Sequence, residues 1–501
     1  MKKLPVLLSV CLLFSACSAL TACNDLSSSS SSTVQSSSAD SSCSSSSSSC
    51  SSSSSSSLAA HPCTHDYQLY SLCVDGENGP CGKFVCNLCD DVTHGEVTHQ
   101  TVGMPILYVT GDISEMSKDN KVTVSLSYTS EENSFDCDAT MKWQGASSLG
   151  FPKKNYNIQL LKTGTTSKNK VEIREAWGKQ SKYCIKANYI DFSQARNVVS
   201  GQLYSQIVHS RNLQDEVGAL TNGGAVDGFP ILIYINGSYQ GLHTLNIAKD
   251  NWMWGMDDDE ADDGIVTKQA ALMADDYTSA TALQTTIDGD FIDSGFELEY
   301  CSTEDTIGND WVAPSFNDMI AFVNQNDGED FKNGIRNYVC LERTIDTLIY
   351  TWMIAGADNG SKNVMWLTYD GTRWFPSMYD MDGTWGLHPA GSSYFAPGYL
   401  LEDDRTLDPY IGNELCKKVY TNFKDEVIAR YFELRNSVLS LSNVNNTFAS
   451  FFVQVPNFVY QAEAKKWSTV PSVNTSTYEQ IISFAKAHFE QYDEYFSAFI
   501  E

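Results

Sequence analysis

Residues 26–57 are a serine tract, interrupted by few other residues, Cys43 and Cys50 among them. Such a segment buries too little apolar area to offset the entropy of ordering it, so it reads as a flexible tether. About 30 flexible residues reach roughly 30 Å. The tract thus divides the 501-residue chain before any other argument. Whatever folds is built from the roughly 400 residues beyond it, enough for one large or two closely apposed domains with a real core. Ahead of the tract, Met1-Lys-Lys is followed by an apolar stretch, residues 4–20, the pattern of an export signal. The run is short for a membrane span and gives way to serine.

Composition narrows the classes. Aromatic residues make up 12% of the chain, which points to a packed globule. The formal charge of −29 argues against any partner bound through nucleic-acid phosphates. Charge is also segregated. Residues 142–186 hold ten Lys or Arg against two Glu, whereas residues 250–310 hold seventeen acids against one Lys. A basic lobe beside an acidic centre suits a site with polyphosphate on one wall and metal on the other; two solvated faces of opposite sign read equally well.

Between the tether and the main body, residues 61–100 carry His61, Cys63, His65, Cys73, Cys81, Cys86, Cys89, His94 and His99. Cys63-x-His65 with Cys86-x-x-Cys89 has the make-up of a tetrahedral zinc set. A disulfide-stapled module is the other reading, with five thiols leaving one over. Either is structural rather than catalytic. The later cysteines, Cys137, Cys184, Cys301, Cys340 and Cys416, are widely spaced among apolar neighbours and read as free buried thiols.

Beyond residue 100 the period of the pattern switches between strand and helix. Alternation over 121–128 and 155–161 predicts strands, the second placing Tyr156, Ile158 and Leu160 on one face. The same alternation carries back to Lys154 and turns Lys153 the other way. Residues 193–209 predict a helix capped by Ser193, and 231–235 with 240–245 a hairpin around Asn236-Gly237. The acidic run 257–263 lacks the ordered spacing of a calcium loop and reads as a solvated loop. An apolar helix over 343–357 delivers Asp358 at its end. Residues 364–369 and 372–378 predict a hairpin about Asp370-Gly371, and 414–439, 446–467 and 477–499 predict scaffold helices, with His488 an ordinary helical residue.

The hairpin matters because of what flanks it. Asp358-Asn-Gly-Ser-Lys-Asn363 enters it, and Tyr379-Asp380-Met-Asp382-Gly383 leaves it. The acids therefore sit at opposite ends of one hairpin, close enough to share a metal. An Asp followed five positions later by an Asn is the spacing of a protein-kinase catalytic loop, in which the Asp receives the substrate hydroxyl proton and the Asn holds magnesium. A further acid 17 residues beyond Asn363, Asp380, stands where kinases carry the other metal ligand.

Five ordered blocks resemble the spore coat protein H (CotH) kinase-like family. They are Met104-Pro-Ile-Leu-Tyr-Val109; Gln144-Gly-Ala-Ser-Ser148 with Phe151-Pro-Lys-Lys-Asn-Tyr-Asn-Ile158; Asp191-Phe-Ser-Gln-Ala-Arg-Asn197; Tyr234-Ile-Asn-Gly-Ser-Tyr-Gln-Gly-Leu-His243; and the Asp358 to Gly386 segment. The chain departs from the family in having Ile247 near a usual Glu and His243 at a usual Tyr. The resemblance implies an α+β, atypical two-lobed protein-kinase-like fold over residues 101–501. It is preceded by a signal (1–22), the serine linker (23–60) and the cysteine module (61–100). It implies a kinase transferring the ATP γ-phosphoryl group to Ser or Thr of surface or secreted proteins, with Mg or Mn. Asp358 is expected as general base, and Asn363, Asp380 and Asp382 as metal ligands. Lys154 is expected to meet the ATP phosphates, with Arg196 a further nucleotide contact and Asp191 structural. Lys362 suits either transferred phosphate or open surface. Leu20-Thr-Ala-Cys23 resembles a bacterial lipoprotein box; Cys17 fits it less well. Cleavage before Cys23 and acylation of its thiol would anchor an exported protein, with mature charge −29 − 2 = −31, to the membrane. The competing classes are an inactive kinase-like scaffold or adhesion protein near a polysaccharide-degrading assembly, and a metal-dependent glycosidase built on the paired Asp residues. No phosphate-binding glycine loop, nucleophile elbow or His-Glu-x-x-His helix supports the commoner hydrolases.

Overall fold

The computed structural model describes residues 63–76, 79–256, 267–401, 407 and 411–500. The expected export signal, Cys23, the serine tract, His61 and the acidic run 257–263 lie outside the described residues. The chain first forms a three-stranded antiparallel sheet, β1 (Tyr67–Leu72), β2 (Cys81–Cys86) and β3 (Val92–Glu96). One helical turn, α1 (His99–Val102), capped by Thr98, leads out of it. β4 (Ile106–Thr110), β5 (Val122–Thr129), β6 (Ser134–Gln144) and β7 (Asn155–Leu161) follow as a meander. A small paired patch, β8 (Val171–Glu172) and β9 (Lys179–Gln180), precedes β10 (Lys182–Lys186). After α2 (Arg196–Ser210) and α3 (Glu216–Ala219), the hairpin β11 (Gly228–Ile235) and β12 (Ser238–Ile247) closes a seven-stranded barrel in the order β10-β12-β11-β4-β5-β6-β7. Only its β11–β4 pairing is parallel.

Alternation builds the barrel. Val124, Leu126 and Tyr128 on β5, Cys137, Ala139 and Met141 on β6, and Tyr156, Ile158 and Leu160 on β7 are buried, while their neighbours are more exposed. β11 is buried at every position. Asn236 and Gly237 both take positive φ (48° and 79°), the two-residue turn that Asn-Gly favours.

A second sheet, in the order β14-β13-β15-β16, combines β13 (Ala270–Ala274), β14 (Phe296–Cys301), β15 (Val364–Thr368) and β16 (Trp374–Met378). Between β14 and β15 run α4 (Val312–Gln325), α5 (Gly328–Gly334) and α6 (Leu341–Met353); after β16 come α7 (Glu414–Asn422), α8 (Lys424–Arg435), α9 (Leu441–Phe452), α10 (Asn457–Lys466) and α11 (Tyr478–Ser497). The fold class is α+β, as expected. Two of the three scaffold helices expected after 411 are broken: the first divides at Phe423, and the second restarts beyond Pro456, which lacks the N–H that a helix interior needs. The helix expected to reach Ala357 ends at Met353, and residues 354–357 form turns that include Ala355 at φ 53°.

Trp254, Trp352, Trp366, Trp374 and Trp385 are fully buried, as the aromatic content suggested. The five later cysteines are all buried and free. Among the described residues no helix is long and apolar enough to cross a membrane.

Candidate functional site

The second sheet presents one end to the barrel, and the chemistry-bearing residues gather there. Val364 opens β15 between Ala274, the last residue of β13, and Met378, the last residue of β16. Antiparallel pairing therefore sets Asn363, Asp275 and Tyr379–Asp380 side by side. The Asn363 N–H donates to the Ala274 carbonyl (2.8 Å), and the Tyr379 N–H to the Asn363 carbonyl (3.0 Å). Asn359, fully enclosed, donates through Nδ2 to the Tyr379 carbonyl (2.9 Å), so the residue next to Asp358 ties the two acidic segments together. Asn363 and Asp380 both take left-handed backbone (φ 56° and 50°), a conformation Asn and Asp tolerate better than most residues. Backbone held this way clusters at functional sites.

Asp358, Asn363, Asp380 and Asp382 line one cavity of about 570 Å³. The four residues singled out for base and metal duty are thus brought together. The tyrosine hydroxyl of Tyr277 donates to Asp358 Oδ1. Lys362 also lines the cavity, its ammonium 5.3 Å from the centre of the Tyr277 ring. Burial first, then the neighbouring Asp380 charge, holds the Asp382 carboxyl well above the usual carboxylate range.

The barrel supplies the opposite wall. Lys142 on β6, Asn157 on β7 and Cys184 on β10 are direct cross-strand partners, so they share the barrel's outer face, and Lys186 is two residues further along it. Lys142, Asn157 and Lys186 all line the cavity, together with the Gln144–Ser148 loop and Lys249 just past β12. Lys186 Nζ lies 3.1 Å from Asp380 Oδ1. Burial works against its charge, but Asp380 outweighs burial and holds the ammonium protonated well past the usual lysine range. Lys249 pairs with Glu299 and, at 3.4 Å, with Glu297, both on β14. Burial pushes the Glu299 carboxyl up to about 7, against the pull of Lys249.

Two expected nucleotide contacts stand elsewhere. Lys154 precedes β7 rather than lying in it, so the strand's alternation does not reach it. Its ammonium turns back to the carbonyls of Leu149 (2.5 Å) and Phe151 (2.6 Å) and lies over Trp143, outside the cavity lining. Its neighbour Lys153 is the buried one, 2.7 Å from Glu463 on α10. Arg196 is wholly enclosed. Its guanidinium binds Asp191, Ser476 and Gln480, and its Nε donates to the Thr384 carbonyl (2.8 Å). It positions residues and does not face the cavity. Asp191 is structural, as expected: it accepts from Ser193, Ser476 and the Arg196 backbone N–H (3.0 Å), so the helix begins at Arg196 and Asp191, not Ser193, receives its first amide. Asn197 next door accepts the Met381 N–H (3.1 Å), and Ser200 accepts the Trp385 indole N–H (2.8 Å). The first turns of α2 thus grip the segment that carries Asp380 and Asp382.

Lys186 and Lys249 were missed, although Lys182-Tyr-Cys-Ile-Lys186 carries the signal. Tyr183 and Ile185 alternate inward with no exposure, which turns Lys186 out. The carboxylates beside Lys249 come from β14, about 50 residues later, rather than from the segment around Ile247.

Lysines line one wall of this cleft, and carboxylates with an asparagine line the other. The family model of CotH kinase protein matches residues 141–496, and the chain belongs to the CotH kinase family. A comparison with curated proteins gave no match.

Proposed function

We propose that the protein is an active, metal-dependent protein kinase of two-lobed, kinase-like architecture, the barrel forming one lobe and the second sheet with its helices the other. It transfers the γ-phosphoryl group of ATP to Ser or Thr hydroxyls of surface or secreted proteins. The observation that carries this reading is the meeting of Asp358, Asn363, Asp380 and Asp382 with Lys186 and Lys249 in one cavity.

The donor set fits a divalent cation. Asn363, Asp380 and Asp382 offer hard oxygen ligands, and a carboxyl whose protonated form is favoured by burial and then by a like-charged neighbour, as at Asp382, becomes a favourable carboxylate once a cation is beside it. Bound there, Mg²⁺ or Mn²⁺ would offset the charge of the phosphates. Lys186 and Lys249 face the same charge from the barrel wall. Asp358 takes the proton of the acceptor hydroxyl as its oxygen bonds to the γ-phosphorus and the bond to the bridging β-phosphate oxygen breaks, leaving ADP. Tyr277, half-exposed and bonded to Asp358, holds that carboxylate at the mouth of the cavity until an acceptor replaces its hydroxyl.

Residues 1–23 support export and anchoring through an acylated Cys23, which would set the site outside the membrane at the end of a serine tether. The tether itself is a potential acceptor, and mass spectrometry of the active protein finding it unmodified would rule that out.

The decisive experiment incubates the protein with γ-labelled ATP, Mg²⁺ or Mn²⁺ and a Ser-rich acceptor, beside Asp358→Ala and Asp380→Ala. Metal-dependent label transfer lost in both variants is expected. No transfer, with no metal-dependent nucleotide binding in a melting assay, would make the protein a scaffold that kept the fold.

A further inference from the structure

The small sheet at the start of the folded region buries little of its own. β3 is exposed along most of its length, β1 is buried only at Leu72, and Tyr70 and Leu88 are more than half exposed. A three-stranded sheet with so small a core needs a staple. One is present in the geometry. Cys63 and His65 approach β1 at alternate positions, and His65 stacks on Tyr67, which pairs in register with Cys86. The chain then turns through Cys86-Asn-Leu-Cys89, held by the Asn87 N–H on the Asp66 carbonyl (2.8 Å) and the Cys86 N–H on the Asp91 carbonyl (3.0 Å).

These bonds converge four donor atoms, Cys63 Sγ, His65 Nδ1, Cys86 Sγ and Cys89 Sγ, all within 4.8 Å of one another. Cys63 Sγ and Cys86 Sγ are 3.8 Å apart, and Cys89 Sγ and His65 Nδ1 are 3.5 Å apart. A tetrahedral zinc ion with its usual bond lengths sets two sulfurs about 3.8 Å apart and a sulfur and a nitrogen about 3.6 Å apart. The Leu88 N–H points at Cys86 Sγ (3.4 Å), the kind of outer hydrogen bond that steadies a thiolate ligand. A disulfide would use two of the three sulfurs and leave the third facing an imidazole without a role. The partition also accounts for the odd number of thiols. Cys73 and Cys81, whose sulfurs are 3.0 Å apart, stand outside the set as a separate pair.

We propose that Cys63, His65, Cys86 and Cys89 bind one zinc ion in a closed tetrahedral site that staples the three-stranded sheet. Four protein donors leave no open position, so the site is structural. None of its residues lines the kinase-like cavity. The sheet instead borders α10 and the barrel, through Lys465 on Asp75 (2.6 Å) and the Gly79 N–H on the Gly237 carbonyl (3.2 Å). The proposal therefore stands or falls independently of phosphoryl transfer.

The test is elemental analysis of the full-length protein purified without chelators, with a mercurial titration that releases bound metal to a chromogenic indicator. About one zinc per chain is expected, released as thiols are titrated. Cys89→Ser and His65→Ala should each lose most of it, Cys73→Ser should keep it, and His65→Cys, which preserves four donors, should retain zinc even where His65→Ala fails to fold. Cobalt exchange should give thiolate charge-transfer absorption with tetrahedral ligand-field bands. A metal-free chain, iron in place of zinc, or non-reducing peptide maps joining Cys63, Cys86 or Cys89 in disulfides would overturn the proposal. So would zinc loss in Cys73→Ser with zinc retained in His65→Ala.

Discussion

Two lysines adjacent in sequence, Lys153 and Lys154, show how little a residue's type says of its role. Neither reaches the cavity; one is sealed against Glu463 and the other folds back on its own turn, while Lys186, 32 residues on, faces Asp380. If Lys186 counters developing phosphate charge, Lys186→Met should lower kcat/KM for labelled-phosphate transfer by about 10²–10³-fold, the range seen when one electrostatic contact to a transition state is removed. Lys154→Met should change it by less than about twofold, with circular dichroism showing both variants folded. At Gly241, φ is 107° and an added Cβ would meet Glu463 Oε2 at 2.5 Å, so Gly241→Ala should destabilise by more than about 1 kcal/mol in denaturant unfolding. The carboxylate bonded to Lys153 and to the Leu242 N–H has no room to yield.

At the scale of elements, α2 is the clamp on the acidic segment. Arg196, Asn197 and Ser200 hold Thr384, Met381 and Trp385 in turn, and Asp191 locks the helix start to Ser476 before α11. Arg196→Met leaves Asp191 buried without its cation, and breaking a buried pair in this way costs about 3–5 kcal/mol. Guanidinium unfolding should show that loss. A variant with unchanged stability but weakened nucleotide binding would instead return Arg196 to the nucleotide site. β5, β7, the β11–β12 hairpin and the acidic hairpin were legible from the sequence, since period-2 burial and turn residues are local signals, whereas β6, β10, β13 and β14 were not read from it. Lys186 was legible in principle from the alternation of Lys182–Lys186. The Lys249–Glu299 pair was not, because it joins the end of a barrel strand to β14 in the other sheet and leaves no local pattern.

Across the whole molecule, buried polar groups tie distant segments together. His488 on α11 accepts the Gly398 N–H at Nδ1 (2.9 Å) and donates from Nε2 to the carbonyl of Trp352 (2.8 Å), so only the neutral ring serves both. Burial lowers its pKa from 6.5 to about 4. The unfolded chain therefore binds the proton more readily between these values. Its stabilisation is fully present above about pH 6.5 and is lost as pH falls through about 4, worth up to about 3 kcal/mol. Thermal melting should fall from pH 7 to pH 4.5, and His488→Gln should flatten part of that slope. His243, lowered by burial and then by Lys153, adds to it in the same direction, so the slope should not vanish. An unchanged slope in His488→Gln would show that the ring is not held neutral.

The chain's own pattern was enough for the α+β class, β5, β7 and the β11–β12 hairpin of the barrel, the acidic hairpin with Asp358, Asn363, Asp380 and Asp382, and the free buried thiols. All of these follow from period, turn chemistry and spacing within some 25 residues, where local stereochemistry governs. Which lysines line the cavity, and whether Arg196 binds a ligand or a helix, depended on the closing of the barrel and its packing against the second sheet. Those contacts join residues nearly 200 positions apart, as Lys186 and Asp380 do, and burial together with neighbouring charge sets the charge of each group.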